Sequence, residues 1–68
     1  LWIESQDEKF FINTKNIKEL SISSQNNIYA EKSLIGVYSS EKRALEILNE
    51  IKGMVNDPDN YTYKMPKE

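Results

Sequence analysis

Leu34-Ile35-Gly36-Val37-Tyr38-Ser39-Ser40-Glu41-Lys42-Arg43-Ala44-Leu45-Glu46-Ile47-Leu48-Asn49-Glu50-Ile51 is the stretch on which the fold turns. Its first five residues form a short apolar run that reads as a strand. Gly36 inside that run marks a bulge, or a place where another group comes close. After Ser39-Ser40 the apolar spacing changes from two to 3.6. Ser39 or Ser40 suits an N-cap, because its hydroxyl can accept from a free N–H of the first turn. Glu41 in that turn complements the helix dipole. Ala44, Leu45, Leu48, Ile51 and Val55 make one apolar stripe, which Ile47 widens. Lys42, Glu46, Asn49, Glu50 and Lys52 take the polar side. Gly53 weakens the last turn, and Asn56-Asp57-Pro58 ends the helix.

Upstream of this switch the chain reads as strands. Leu1 to Gln6 and Phe10 to Asn13 flank the polar turn Asp7-Glu8-Lys9, which is a hairpin signature. Ile17 to Ser23 alternates, with Leu20 and Ile22 on one face and Glu19, Ser21 and Ser23 on the other. Ser24-Gln25-Asn26-Asn27 is a turn, since Asn tolerates the left-handed backbone that tight hairpins need. Ile28 to Glu31 continues as a strand. The expected fold is α+β: a four- or five-stranded antiparallel meander over one domain, residues 1–56, closed by a C-terminal amphipathic helix packed on one face. Residues 57–68 read as a tail or arm. Within it Tyr61, Tyr63 and Met65 alternate with polar residues, which suits a short edge strand or an arm lying on another surface, and the three are expected at an oligomer interface.

One helix covers one sheet face. The covered face is expected to use Ile3, Ile12, Leu20, Ile22 and Ile35. The other would carry Trp2, a Phe and some Tyr, a natural place for a partner.

The chain has 68 residues and neither Cys nor His. A domain of that length buries only about 60% of the surface its unfolded form exposes. Disulfides and the usual Cys/His zinc sites are excluded, so a homo-oligomer is the expected source of further stability. Without Cys or His, a nucleophile would have to be Ser, Thr, Lys or a carboxylate. The serines fall in turns and caps. The acid pairs Asp7/Glu8 and Asp57/Asp59 fall in loops, where solvation accounts for them. The expectation is therefore no catalytic residue, no metal and no cofactor.

The net charge is −2, and Arg43 is the sole arginine. That argues against a nucleic-acid binder, which normally carries a basic face. No apolar run approaches the ~20 residues that span a bilayer, and the N-terminal residues do not read as a signal peptide. A cytoplasmic protein is expected.

Two stretches carry a resemblance. Trp2-Ile3-Glu4-Ser5-Gln6-Asp7 resembles the Trp-Ile-x-Ser-Gln-Asp start of short phage and prophage proteins of low-GC Gram-positive bacteria. Residues 35–51 resemble their second signature, a Gly-x-Tyr, a Ser/Thr cap and an Arg-Ala-x-x-x-Leu-x-x-Ile helix. The two cover about a third of the chain. The resemblance implies the strand-and-helix fold and a mobile-element origin, hence a host-cell cytoplasm, and carries over no activity.

The function expected on these grounds is a non-catalytic phage-type binder that counters a host process such as antiviral defence. It would sequester a small nucleotide signal or occlude a host protein. For a nucleotide, Ser39, Ser40 and Arg43 at the helix N-terminus would hold phosphates, with Lys42 beside them. Trp2, Tyr29 or Tyr38 would stack on the base. The alternatives are a single-stranded nucleic-acid binder that stacks bases on the aromatic face and a structural, oligomeric phage accessory protein.

Overall fold

A computed structural model describes residues 1–56 and 61–68. It shows a small α+β protein: strands β1 (Trp2–Glu4), β2 (Phe11–Asn13), β3 (Leu20–Ile22), β4 (Asn27–Ala30) and β5 (Ser33–Val37), helix α1 (Glu41–Met54) and strand β6 (Thr62–Lys64). Of the expected helix stop Asn56-Asp57-Pro58, Asn56 lies in a turn just past the Val55 cap; Asp57 and Pro58, and with them the pair Asp57/Asp59, lie outside the described residues.

The N-terminal hairpin forms as its turn chemistry dictates. The Ser5 hydroxyl donates to Asp7 Oδ1 at 2.6 Å, and Ser5 Oγ accepts from the Lys9 and Phe10 N–H groups. Asn26 takes the left-handed backbone at φ 65°, and the Ser23 N–H reaches Asn27 O at 2.9 Å to close the β3–β4 turn.

The strands do not form one meander. They divide into two three-stranded sheets, β2-β1-β6 and β3-β4-β5. The β1–β2, β3–β4 and β4–β5 pairs are antiparallel, as expected. The correction lies after the helix. Residues 62–64, expected in a tail, form a strand that runs parallel to β1, with Trp2 opposite Thr62 and Glu4 opposite Lys64. The helix is thus followed by a strand of the N-terminal sheet.

A bulge in β5 joins the sheets. Ile28 pairs with Gly36 and Tyr29 with Leu34, which leaves Ile35 as the extra residue. Bulges redirect a strand and free its backbone groups. Here the Ile35 carbonyl accepts from the Gln6 N–H at 2.8 Å, just past the end of β1. Gly36 answers both sequence expectations at once. It lies at the bulge, and a Cβ there would stand 2.6 Å from Tyr38 Cε2 and 3.0 Å from Met65 Cε.

Leu1, Ile3, Ile28, Ala30, Ile35, Tyr38, Ala44, Ile47, Ile51 and Met65 form the core, with Ile12, Leu20 and Ile22 packed against it. Helix α1 starts at its Ser40 cap, whose Oγ accepts from the Arg43 N–H at 3.1 Å. It packs against β3 and β4. The buried stripe is rotated from the expected one. Ala44, Ile47 and Ile51 are buried, Leu48 is half-buried, and Leu45 is 45% exposed. The apolar arc from Ile47 to Leu45 is wider than one sheet contact, and the sheet takes the Ile47 side.

Candidate functional site

The structure does not bring the residues expected to hold a nucleotide into one site. Tyr38 is buried in the core, and its hydroxyl donates to Pro66 O at 2.9 Å. Burial pushes that hydroxyl up to about 12, so it stays a neutral donor. Its ring covers Gly36 and offers no face for stacking. Tyr29 is half-buried and shares a face with Ser21 and Leu34 on the far side of the second sheet. Trp2 belongs to the other sheet.

The helix N-terminus has an occupant from the same chain. The Ser39 N–H donates to Glu68 Oε1 at 2.6 Å, and the Ser39 hydroxyl donates to Glu68 Oε2 at 3.1 Å. This carboxylate stands where a ligand phosphate was expected, and it would repel one. Ser40 is committed to its capping bond. The Arg43 guanidinium lies 3.6 Å from Glu46 Oε1, one turn along. Lys42 is exposed.

The residues expected at an oligomer interface fare differently. Met65 is buried in the chain's own core. Tyr63 faces inward from β6, and its hydroxyl donates to Glu50 Oε1 at 2.6 Å. Burial first, and then the Glu50 carboxylate, hold that hydroxyl well above the ordinary tyrosine range. Tyr61 alone of the three is exposed.

What the fold does assemble is an aromatic face on the first sheet. The pairing register places Ile3, Ile12 and Tyr63 toward the core, and alternation turns their neighbours outward. The outward rows read Asn13–Trp2–Thr62 and Phe11–Glu4–Lys64. Trp2 is 39% exposed and Phe11 58%. The two are diagonal neighbours, which a regular antiparallel ladder sets about 7–8 Å apart, within reach of two rings. The sequence left open which phenylalanine faces outward. Phe11 does, while Phe10 packs against the core.

A second surface lies on the flank of α1. Leu20, Leu48, Ile51, Lys52 and Val55 line an open groove of about 350 Å³. Beside it, Leu20 and Val55 also border a smaller recess with Thr14, Ile17, Lys18 and Glu19. The groove is mostly apolar and suits hydrocarbon side chains rather than phosphate.

No family model, curated protein or solved structure matches this chain. Function therefore rests on the surfaces themselves. Among the described residues, no group of three or more acids could hold a metal ion, and no helix is long and apolar enough to cross a membrane. Of the two acids in the first turn, Asp7 organises the turn and Glu8 pairs with Lys67 at 2.9 Å.

Three residues that sequence reasoning missed tie the last residues to the start and the middle of the chain: Gln6, Pro66 and Glu68. Each acts on a partner 28 or more positions away. No local pattern announces such contacts.

Proposed function

We propose that this protein is a non-catalytic binder that disables a host protein by covering part of its surface, one molecule per target. The observation that carries this reading is the outward pair Trp2 and Phe11, exposed side by side on a sheet face that the helix does not cover. Large aromatic side chains anchored on a rigid strand are typical of the few residues that dominate protein recognition. The phage-type resemblance supplies the setting. The target belongs to a process of the host cytoplasm that works against a phage, such as an antiviral defence. Capture of a small nucleotide is the weaker reading, because Tyr38 is enclosed and a carboxylate sits on Ser39.

The test uses the full chain, immobilised and exposed to host-cell lysate, alongside phage growth in cells that express it. Trp2→Ala with Phe11→Ala should abolish both the retained protein and the effect on phage growth. Arg43→Glu should leave both intact. Loss of function in Arg43→Glu alone would point back to an anionic ligand. Retention of a single-stranded oligonucleotide that depends on Trp2 would favour base stacking instead. No retained protein and no effect on phage growth would reject the proposal.

A further inference from the structure

Along the open flank of α1, Glu41, Leu45, Leu48, Lys52 and Val55 follow one another at spacings of four, three, four and three. That is the seam spacing by which two helices pack along their length. All but Leu48 are exposed, with Leu45 at 45% and Val55 at 43%. Val55 follows the last helical residue and keeps helical backbone angles, φ −63° and ψ −24°. The core does not need this seam, since the sheet takes the Ile47 side of the helix.

The charges along the seam say what covers it. Glu41 stands at one end and Lys52 near the other, and among the described residues neither forms an ion pair within the chain. We infer that this seam is the contact of a homodimer, in which α1 packs antiparallel against α1 of a second copy. With the two-fold axis midway between Glu46 and Ile47, Leu45 meets the second copy's Leu48. The same operation sets Glu41 against the second copy's Lys52. Both contacts occur twice, as a two-fold interface requires. A parallel pairing would set Glu41 on Glu41 and Lys52 on Lys52, so the charges select the antiparallel arrangement and reject the other. The apolar groove beside Leu20 and Leu48 opens on the same flank and widens the contact. One helix per copy gives an interface at the low end of specific contacts. The dimer is therefore in exchange with monomer at micromolar concentrations. This surface is separate from the Trp2–Phe11 face, so one dimer presents two aromatic faces.

Sedimentation equilibrium of the full chain over a range from about 1 µM to 1 mM tests the inference, with circular dichroism to verify folding. The expected result is a reversible monomer–dimer equilibrium. Leu45→Glu should weaken it at least tenfold, without unfolding, because Leu45 is not a core residue. Glu41→Lys and Lys52→Glu should each weaken the dimer, and the double variant, which restores opposite charges across the axis, should recover it. A chain that stays monomeric throughout overturns the inference. So does a dimer that ignores Leu45→Glu, or a charge-swapped double variant no better than the single ones.

Discussion

The side-chain amide of Gln6 pairs with the main chain of Val37 as a neighbouring strand would. Its Oε1 accepts from the Val37 N–H at 2.8 Å, and its Nε2 donates to Val37 O at 3.0 Å. The same Nε2 donates to Pro66 O at 3.0 Å. One side chain thus satisfies part of the exposed edge of β5 and ties it to the residues after β6. A free strand edge invites pairing with other chains, so Gln6 also guards that edge.

Gln6→Ala removes all three bonds. Each is partly solvated, so the expected loss is about 1–2 kcal/mol, at the modest end for hydrogen bonds. Urea unfolding monitored by tryptophan fluorescence measures it. Gln6→Glu should do more harm at pH 7, because a carboxylate cannot donate to either carbonyl. Its stability should improve as the pH falls and the carboxyl takes up a proton.

Gly36→Ala is expected to destabilise by about 1–3 kcal/mol, as overpacked positions do. The added methyl would meet the Tyr38 ring at 2.6 Å, and that ring is held by its hydroxyl bond to Pro66 O. The backbone at Gly36 is not in the left-handed region, so the cost is steric. Gly36→Ala combined with Tyr38→Leu should then lose less than the sum of the two single changes, which a double-mutant cycle reads out.

The rotated helix stripe separates two neighbouring substitutions. Ile47 is fully buried, and Ile47→Ala should cost about 2–5 kcal/mol. Leu45→Ala on the open flank should stay within about 0.5 kcal/mol at concentrations where the chain is monomeric. Equal losses would show that the helix does not pack as described.

The hairpin turn gives a pH signature. The Ser5 hydroxyl first, and then the Lys9 N–H, hold the Asp7 carboxyl below its ordinary value of 3.8. A depressed folded-state value means that stability is fully present above the ordinary value and drains away as the pH falls through the depressed one. Asp7→Asn should therefore be less stable at neutral pH and show a shallower acid loss below about pH 4. A parallel pair of acid titrations by circular dichroism compares them.

The local part of this fold was open to sequence reading. The change of period at Ser39-Ser40, the left-handed turn at Asn26 and the bulged strand around Gly36 each follow from chemistry within a few residues. The choice between Ile47 and Leu45 does not, because both sit on one wide apolar arc and only the sheet decides which side is covered. The Tyr61–Met65 alternation left an edge strand and a loose arm both open, and could not name the partner, since β1 lies some sixty positions back. At the candidate site, Trp2 was legible as an outward residue of an amphipathic strand. Tyr38 was not, because the acceptor of its hydroxyl hydrogen bond, Pro66 O, comes from the far end of the sequence.

The parallel pairing of β1 with β6 sets the order in which the molecule can assemble. Trp2 and Thr62 are neighbours in the sheet, so closing that contact before the middle of the chain folds carries the entropy cost of a long loop. The β3–β4–β5 hairpins and α1 need only short closures and are free to form early, since local contacts are made fastest. The N-terminal hairpin is then expected to complete its sheet last, when β6 docks and Met65 packs beside Gly36. Stopped-flow refolding with Ile28→Val and Met65→Ala should give a high φ value for the first and one near zero for the second. The reverse order would mean that the two ends of the sequence meet before the middle is built.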